Sequence, residues 1–361
     1  MKPVRLAVIG AGHLGRFHAR LASASDQFQL VAVCDPSEHA REALAEEAGC
    51  RAVPDYRQVL EEVDAAVIAT PTVTHHAIGC EVLGAGLHCL MEKPLATTTA
   101  ESDDLVRAAE TRGAVLQVGH VERFNPALEL AGPMLRDPKY ITATRTSGYT
   151  FRSTDIGAVL DIMIHDIDLV LGIARSQIAG VSAMGFSVLG DHEDMATAQI
   201  TFESGCVAQL TASRVSYDLQ RTMQVFSSRG FAAIDFADRT ATVVEPREKV
   251  LRRDFRVAAL SDDERATLRA GLFDELLVKS ESEAPPVNAI ELEQAEFAAA
   301  IKGGLTPRVT GAVGREAVAV AERVLAAIEE HAWDGDTLGR CGPFATPALP
   351  IPAASGLRRA G

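Results

Sequence analysis

A glycine-rich turn between an apolar run and a helix-like segment is the feature of this chain that most constrains its fold. Val4–Ile9 is apolar, and Gly10-Ala11-Gly12-His13-Leu14-Gly15 follows it at once. A second apolar run, 30–34, ends in Asp35. Strand, glycine turn, helix, strand and acid in this order are the pattern of a βαβ unit that binds a dinucleotide. The alternative is a glycine-rich turn in another kind of α/β protein.

Each residue of the turn has a predicted role on the dinucleotide. Gly10 allows the tight turn, Gly12 lets the backbone approach the pyrophosphate, and Gly15 lets the helix pack closely on the strand. The free N–H groups at the start of the helix, at His13 and Leu14, are predicted to face the phosphates.

The acid at the end of the second strand indicates which dinucleotide is bound. Asp35 lies 20 residues after Gly15, where a carboxylate accepts hydrogen bonds from the adenosine ribose. A carboxylate at this place favours a free 2′-hydroxyl and repels a 2′-phosphate, and the nearest arginine is Arg41. We therefore expect NAD rather than NADP.

Length and charge narrow the class of protein. A chain of 361 residues is long for one core, which predicts two domains. The formal net charge of −14 argues against a nucleic-acid partner, and no apolar run approaches the ~20 residues that cross a bilayer. The first strand begins at residue 4, which leaves no room for a signal peptide, so we expect a cytoplasmic protein without a membrane partner.

The cysteines are scattered and form no C-x-x-C pair. Several lie in apolar runs, which predicts buried free thiols in a reducing compartment and no zinc site. They are residues 34, 50, 80, 89, 206 and 341.

Apolar strands and helix-like segments continue to alternate up to about residue 120. This alternation predicts right-handed crossovers and a doubly wound parallel sheet, so we assign residues 1–124 to a Rossmann domain that binds NAD. The predicted helices are 38–48, 76–83 and 98–111, and the further strands are 64–69, 87–91 and 114–118. Thr98 or Thr99 is predicted to cap the third of these helices, with Glu101 near its first turn.

The pattern then changes to successive β-rich runs with short turns. These predict an α+β domain over residues 125–335, with a large, open, mostly antiparallel sheet and helices on one face. The predicted strands are 140–147, 178–186, 196–202, 206–212, 223–227, 232–236 and 241–244, and the predicted helices are 126–135, 158–172, 290–302 and 313–331. Residues 247–287 are interpreted as a polar, irregular loop or insertion, and 336–361 as an Ala/Pro-rich tail.

One predicted helix carries an unusual polar stripe. Asp161, His165 and Asp168 are spaced i, i+4, i+7, beside an apolar stripe that is sufficient for packing. The stripe is either a solvated face or a histidine that carboxylates orient for acid–base work. A metal site is a third interpretation, but no clear further ligand is present in the sequence.

The second candidate group follows the strands of the first domain. Lys93 comes after Glu92 at the carboxyl end of a parallel strand, where open α/β sheets bind ligands. A lysine there can reach the nicotinamide end of the cofactor or a substrate hydroxyl; the alternative is a surface lysine paired with Glu92. Thr70 and Pro71 end the preceding strand, and His75 is interpreted as structural or cofactor-side. His76, His88 and His120 receive no catalytic role.

Four ordered motifs together resemble the Gfo/Idh/MocA oxidoreductase family. They are Gly10–Gly15, Thr70-Pro71-x-x-x-His75, Glu92-Lys93-Pro94 and Asp161-x-x-x-His165-x-x-Asp168, and Pro307-Arg308-Val309-Thr310-Gly311 resembles the family's C-terminal region. The resemblance spans residues 4–330 and implies a nicotinamide cofactor held at the glycine turn, Thr70, Pro71, His75, Glu92 and Lys93. It also implies oxidation or reduction of a sugar or polyol carbon, and a homodimer or homotetramer formed through the open sheet.

The resemblance assigns the catalytic roles to Lys93, Asp161 and His165. We expect Lys93 to donate a hydrogen bond to the substrate oxygen while His165 removes the hydroxyl proton. Asp161 is expected to orient His165 and to stabilise its cation.

Two segments are similar to a branch of the family that acts on UDP-sugars, the UDP-N-acetylglucosamine 3-dehydrogenases. They are 118–126 and 160–168. Arg123, Arg145 and Arg152 are candidates for a diphosphate, Asn125 for a further substrate contact, and Tyr149 for stacking on uracil. The alternative for each arginine is a surface or interdomain ion pair. The alternatives are a dehydrogenase of free inositol or a simple sugar, and a non-catalytic NAD-binding regulatory protein.

Overall fold

Six parallel strands form the first sheet of the molecule, as described by a computed structural model that covers residues 2–254, 256–334 and 340–345. The strands are β1 (Val4–Ile9), β2 (Phe28–Cys34), β3 (Arg51–Val53), β4 (Ala65–Ile68), β5 (His88–Glu92) and β6 (Leu116–Gly119). Their order is β3-β2-β1-β4-β5-β6, that of a Rossmann fold. Strands are added on one side of β1 up to β3 and on its other side from β4, so the order of the strands reverses between β1 and β4. The short strand β3 was missed in the sequence.

Helices cross over between these strands. They are α1 (His13–Ala24), α2 (Glu38–Ala48), α3 (His75–Gly84) and α4 (Thr99–Arg112). Thr98 and Glu101 form a capping box at the start of α4, as the sequence indicates, and Gly113 ends this helix with φ 63°.

The register of the first sheet brings distant residues to one edge. Ile9 pairs with Cys34 and with Ile68. Glu92 pairs with Gly119. The residues that follow these strand ends, including the glycine turn, Asp35, Thr70, Lys93 and His120, therefore share the carboxyl edge of the sheet, where ligands of such folds bind.

Eight strands form the second sheet. They are β7 (Pro138–Thr146), β8 (Ile178–Phe186), β9 (Met195–Phe202), β10 (Val207–Ser213), β11 (Gln220–Ser227), β12 (Gly230–Asp235), β13 (Thr240–Pro246) and β14 (Leu277–Glu283). The order is β14-β13-β12-β11-β7-β10-β9-β8, and every pair is antiparallel except β7 with β10. The predicted fold class is confirmed.

The helices of this second half are α5 (Ala127–Ala131), α6 (Ile164–Ala174), α7 (Glu248–Leu251), α8 (Asp262–Ala270), α9 (Ala289–Gly303) and α10 (Gly311–Glu330). The prediction that 247–287 is irregular was wrong, because this segment holds α7, α8 and the edge strand β14. Its polar composition reflects an exposed edge: β14 is exposed from Lys279 to Glu283.

The C-terminal helices also contact the first sheet. Phe297 and Ala298 of α9 lie in the same buried cluster as Leu6 and Leu90. Val309 accepts a hydrogen bond from the Val118 amide at the open edge of β6. Residues after the predicted domain boundary at 124 therefore pack against the first sheet. The division of the chain at this residue stays a prediction.

The segment before α6 departs from a regular α-helix. Residues Val159–Met163 form a π-helical turn that continues directly into α6. π-turns widen the helix by one residue and are frequent at functional sites. Of the predicted tail, residues 340–345 are described and contact the end of α10 through a bridge between Ala332 and Cys341. The rest of 336–361 lies outside the described residues.

Candidate active site

The glycine turn is shaped by backbone contacts that exclude side chains. Gly10 has φ +102°, and a Cβ atom there would lie 2.4 Å from the carbonyl oxygen of Ala69. A Cβ atom at Gly15 would lie 1.9 Å from the carbonyl oxygen of Gly10, so α1 packs on β1 only because Gly15 has no side chain. A Cβ atom at Gly12 would meet nothing within 4 Å. Gly12 therefore borders an open cradle.

The start of α1 presents uncapped backbone to this cradle. Gly12 is the N-cap, no side chain caps the helix, and its first turn holds no acidic residue. Uncapped N–H groups and the positive end of the helix dipole suit a phosphate. Asp35 at the end of β2 accepts hydrogen bonds from the amides of Ala11 and Ser37, each at 2.8 Å. These residues fit the pyrophosphate and ribose of a dinucleotide.

His13 faces outward from the turn, and Arg152 approaches it. His13 is exposed, and partial burial together with the nearby charge of Arg152 lowers its pKa. Arg152 is exposed as well, and no hydrogen bond to its side chain is found in the described part of the chain. Tyr149 instead packs under Arg214, with Cζ of that arginine 5.1 Å from the ring centroid.

His75 ties two loops of the sheet edge together. Its Nδ1 atom lies 2.9 Å from the carbonyl oxygen of Pro94, and its Nε2 atom lies 3.0 Å from that of Thr70. The ring is 1% exposed, and burial lowers the pKa of His75. The structure therefore gives His75 a structural place, one of the two interpretations of the sequence.

Glu92 is held behind the cluster by protein donors. His18 lies 2.9 Å from one carboxylate oxygen, and the amide of Lys93 donates to the other at 3.2 Å. Burial alone would raise the pKa of Glu92, but the His18 contact and the charge of Lys93 hold it below its usual value. Glu92 therefore fixes the loop that carries Lys93; its predicted contact with the cofactor stays untested.

Lys93 meets Asp161, not the solvent. Its Nζ atom donates to the carbonyl oxygen of Asp161 at 2.6 Å and to the Oδ1 atom at 3.0 Å. This pair joins the edge of the first sheet to the π-helical turn. The expectation that Asp161 orients His165 was wrong, because its carboxylate is paired with Lys93 and no hydrogen bond between Asp161 and His165 occurs among the described residues. The i, i+4 argument assumed an α-helix, whereas the turn at 161 is π-helical.

His165 lies in α6, four residues after Asp161 and next to the π-helical turn. Burial, and then the charges of Lys93 and Arg145, hold the pKa of His165 well below its usual range. Its Nδ1 atom is enclosed without a hydrogen-bond partner in the described structure, while the residue as a whole is only half-buried. A neutral imidazole of this kind can accept a proton from a substrate.

His120 was missed by the sequence reasoning and lies against His165. The two ring centroids are 6.3 Å apart and the rings are nearly perpendicular, at 89°. His120 is 1% exposed, and burial lowers its pKa. The signal was its position immediately after β6, at the same sheet edge as Lys93. We call Lys93, His120, Asp161 and His165 the Lys93 cluster.

Two of the arginines considered for a diphosphate are already paired. Arg123 donates to both carboxylate oxygens of Asp168, at 2.6 and 2.9 Å. Arg145 donates to Glu122 at 2.7 Å and to Asp166 at 2.9 Å, and all three are buried. These donors are used inside the protein, which agrees with the ion-pair alternative; a contact of these arginines with phosphate stays a prediction.

Asn125 is likewise held within the protein. Its side-chain amide donates to the carbonyl oxygen of Phe236 at 3.0 Å, and its side-chain oxygen accepts from the amide of Ala127 at 3.1 Å. The second contact satisfies an amide at the start of α5. A contact of Asn125 with the substrate stays a prediction.

The structure lends no support to a metal site or to a membrane-spanning helix in the described residues. No group of three or more His, Cys, Asp or Glu residues in the described ranges is arranged to hold a metal ion. None of the helices described is both long and apolar enough to span a bilayer.

Comparison with known families agrees with this geometry. A profile described as the Gfo/Idh/MocA oxidoreductase family, NAD-binding Rossmann fold, matches residues 4–120. A second profile, the C-terminal domain of the same family, matches residues 133–233.

Individual relatives are similar over most of the chain. UDP-N-acetylglucosamine 3-dehydrogenase from Acidithiobacillus ferrooxidans is 41% identical over 238 residues, which are 66% of this chain and 75% of the relative. A solved structure of that organism's enzyme, GnnA, superposes with a TM-score of 0.78 at 34% identity, covering 91% of this chain and 98% of the other. The scyllo-inositol 2-dehydrogenase (NAD(+)) of Bacillus subtilis is 33% identical over 233 residues, 59% of this chain and 68% of the relative.

Proposed function

The chain belongs to the Gfo/Idh/MocA oxidoreductase family, and we propose that it is an NAD-dependent enzyme that oxidises the C3 hydroxyl of a UDP-N-acetyl-hexosamine to a ketone. The family profiles and the relatives support the oxidoreductase class and the NAD cofactor. The choice of C3 and of the nucleotide sugar comes from the Acidithiobacillus ferrooxidans relative. The match covers 75% of that relative's length.

One observation carries the chemical part of the proposal. Lys93 and His165 come from different parts of the chain, and the Lys93–Asp161 contact at 3.0 Å holds Lys93 against the turn that precedes His165, which supports a shared site. A cationic donor beside a neutral imidazole is the arrangement that removes a proton from an alcohol and stabilises the oxygen that loses it. The place lies on the sheet edge that also carries the glycine cradle.

The residues divide the work as follows. The ammonium of Lys93 donates a hydrogen bond to the substrate oxygen, and His165 accepts the hydroxyl proton at Nε2. Asp161 keeps the Lys93 ammonium in place and offsets its charge. Gly12, the start of α1 and Asp35 hold the dinucleotide, which supplies the hydride acceptor when bound.

The structure leaves fewer arginines available to bind the substrate diphosphate than the sequence suggested. With Arg123 and Arg145 paired internally, Arg152 is the predicted arginine whose side chain has no hydrogen-bond partner among the described residues. Arg152 and Tyr149 belong to the loop between β7 and the π-turn, which approaches the glycine turn. We propose that this loop meets the nucleotide part of the substrate.

A substrate panel tests the function. Purified protein is incubated with NAD and with UDP-N-acetylglucosamine, UDP-N-acetylgalactosamine, UDP-glucose, myo-inositol or scyllo-inositol, and NADH formation is followed. We expect turnover on the UDP-N-acetyl sugars, with the ketone at C3 identified by NMR. Turnover on free inositol alone would replace the proposal by the inositol dehydrogenase alternative. NAD binding without turnover on any member would favour the non-catalytic alternative.

We also propose a homo-oligomer formed through the outer face of the second sheet. The outward positions of β7, β9, β10 and β11 carry no charged residue; they include Thr142, Thr144, Thr197, Gln199, Gln209, Thr211, Gln224 and Phe226. An uncharged, open face of this extent is typical of an interface, not of a solvated surface. Gln224→Lys should lower the mass measured by analytical ultracentrifugation, whereas Glu46→Lys on α2 should not. An unchanged mass in Gln224→Lys excludes this face.

We also propose a cytoplasmic location. Cys34 and Cys89 are buried as free thiols, which is typical of proteins in a reducing compartment.

A further inference from the structure

The carboxylates along the His165 helix are all occupied. Asp161 is paired with Lys93, Asp166 with Arg145, and Asp168 with Arg123. None of them accepts a hydrogen bond from His165 among the described residues. The group that commonly orients a catalytic histidine is therefore not a carboxylate of this helix.

The proton on His165 nevertheless has to be fixed. A neutral imidazole carries one proton, and it can act as a base through Nε2 only when that proton is on Nδ1. Nδ1 of His165 is enclosed and has no hydrogen-bond partner among the described residues. A buried donor without an acceptor costs free energy, so the Nδ1–H form needs an acceptor on this side of the ring.

His120 is the ring in contact with His165. Both of its nitrogens are enclosed without a hydrogen-bond partner among the described residues, and it lies edge to face with His165 at a centroid distance of 6.3 Å. Two neutral imidazoles with complementary needs, one donor and one acceptor, can satisfy each other through one bridging water molecule or after the rings move closer together. Hydrogen bonds of this kind are often loose without ligand and tighten in the complex.

We propose that His120 is a positioning residue that accepts the Nδ1–H of His165 and thereby fixes the tautomer whose Nε2 atom is the base. The inference takes the catalytic role of His165 from the proposed function. His120 itself is 1% exposed and is not placed in contact with substrate.

Burial is the main cause that lowers the pKa of both rings, and charged groups act on each ring as well. The groups that act on His165 are Lys93, Arg145, His120 and Arg221. Those that act on His120 are Asp168, Arg123, Lys93 and Glu92. Because cations predominate around His165, the hydrogen bond joins two neutral rings, and a shared extra proton is disfavoured.

Three variants separate positioning from packing. His120→Phe keeps a flat ring but has no acceptor, whereas His120→Asn and His120→Gln place an amide oxygen near the Nδ1 and Nε2 positions. We expect His120→Phe to lower kcat at least about tenfold, because the Nε2-protonated tautomer of His165 is inactive as a base. KM for the sugar should stay near wild type, and one of the amide variants should recover most of kcat. His88→Gln, at the opposite end of β5, is the matched control.

A second readout does not depend on activity. In histidine-labelled protein, 15N NMR reports the tautomer of His165, assigned with His165→Ala. Wild type should show Nδ1–H, and His120→Phe should show a mixture or Nε2–H. An Nδ1–H tautomer that survives in His120→Phe, or equal kcat in that variant, overturns the inference while leaving the proposed function intact. If wild type oxidises no sugar, the proposed function fails, and the NMR comparison still decides the tautomer question.

Discussion

Lys93 and Asp161 are 68 residues apart in the chain, yet the ammonium of Lys93 lies 3.0 Å from the carboxylate of Asp161. The contact closes the gap between the carboxyl edge of the first sheet and the π-helical turn. Lys93 is 12% exposed at its side chain, so the pair is largely shielded from water. Loss of either partner leaves the other charge poorly solvated.

Lys93→Met should lower kcat by about 10²–10³-fold, because the substrate oxygen loses its cationic donor. Part of any effect could come from an unpaired Asp161. The double variant Lys93→Met/Asp161→Asn removes that charge as well, so its thermal stability should return toward wild type while kcat stays low. Recovery of kcat in the double variant would assign Lys93 a structural role only.

His165→Ala should lower kcat by about 10²–10⁴-fold and leave NAD binding nearly intact. The pH profile follows from the lowered pKa of His165. The ring is the base when neutral, so activity is present above its folded pKa and is lost as pH falls through that value. The acid limb of kcat/KM in wild type should therefore lie below the usual histidine value of about 6.5. An acid limb above that value contradicts the assignment.

Gly12→Ala should weaken NAD binding by at least about tenfold, roughly 1.4 kcal/mol, with little change in thermal stability. Its Cβ atom enters the cradle but meets no protein atom within 4 Å. Gly15→Ala should instead destabilise the fold, since its Cβ atom would lie 1.9 Å from the Gly10 carbonyl oxygen. Gly84→Ala, with open space around its Cβ atom, should change neither property. Calorimetric titration with NAD and melting curves make the comparison.

Arg145→Met should reduce the free energy of unfolding by about 3–5 kcal/mol, because Glu122 and Asp166 lose their common cation while remaining buried. Arg315→Met, which breaks a more exposed pair with Asp103, should cause a much smaller loss. Urea unfolding measures both. Similar losses in the two variants would mean that water reaches the buried carboxylates.

Glu293→Gln should stabilise the protein increasingly as pH rises. Glu293 is fully buried, both of its carboxylate oxygens lack hydrogen-bond partners in the described structure, and burial raises its pKa well above its usual value. The folded state therefore holds a proton that the unfolded state releases above about pH 4.3, and stability falls by up to about 1.4 kcal/mol per pH unit until the folded pKa is reached. Glutamine does not titrate, so the stability difference between variant and wild type should grow between pH 5.5 and 7.5. A difference independent of pH would show that Glu293 is ionised in the folded protein.

The local sequence pattern was sufficient to predict those parts of the fold that depend only on one element and its neighbour in the chain. The glycine turn, the βαβ alternation and the capping box at Thr98 were all legible, because sterics and backbone hydrogen bonding act within a few residues. The strands of the second sheet were legible by their runs of β-forming residues. The edge strand β14 was not, because it is exposed and polar and its identity comes from pairing with β13.

The sequence by itself determined the fold class and the NAD cofactor, and it indicated which residue types could perform the chemistry. Only the tertiary structure decided which of those residues meet. Asp161 is paired with Lys93 and not with His165. Arg123 and Asp168 form an ion pair. His120, which follows the neighbouring strand β6, contacts His165. The physical reason is that charge pairing and ring contacts depend on sheet register and on one π-helical turn, which bring together groups that no spacing along the chain relates.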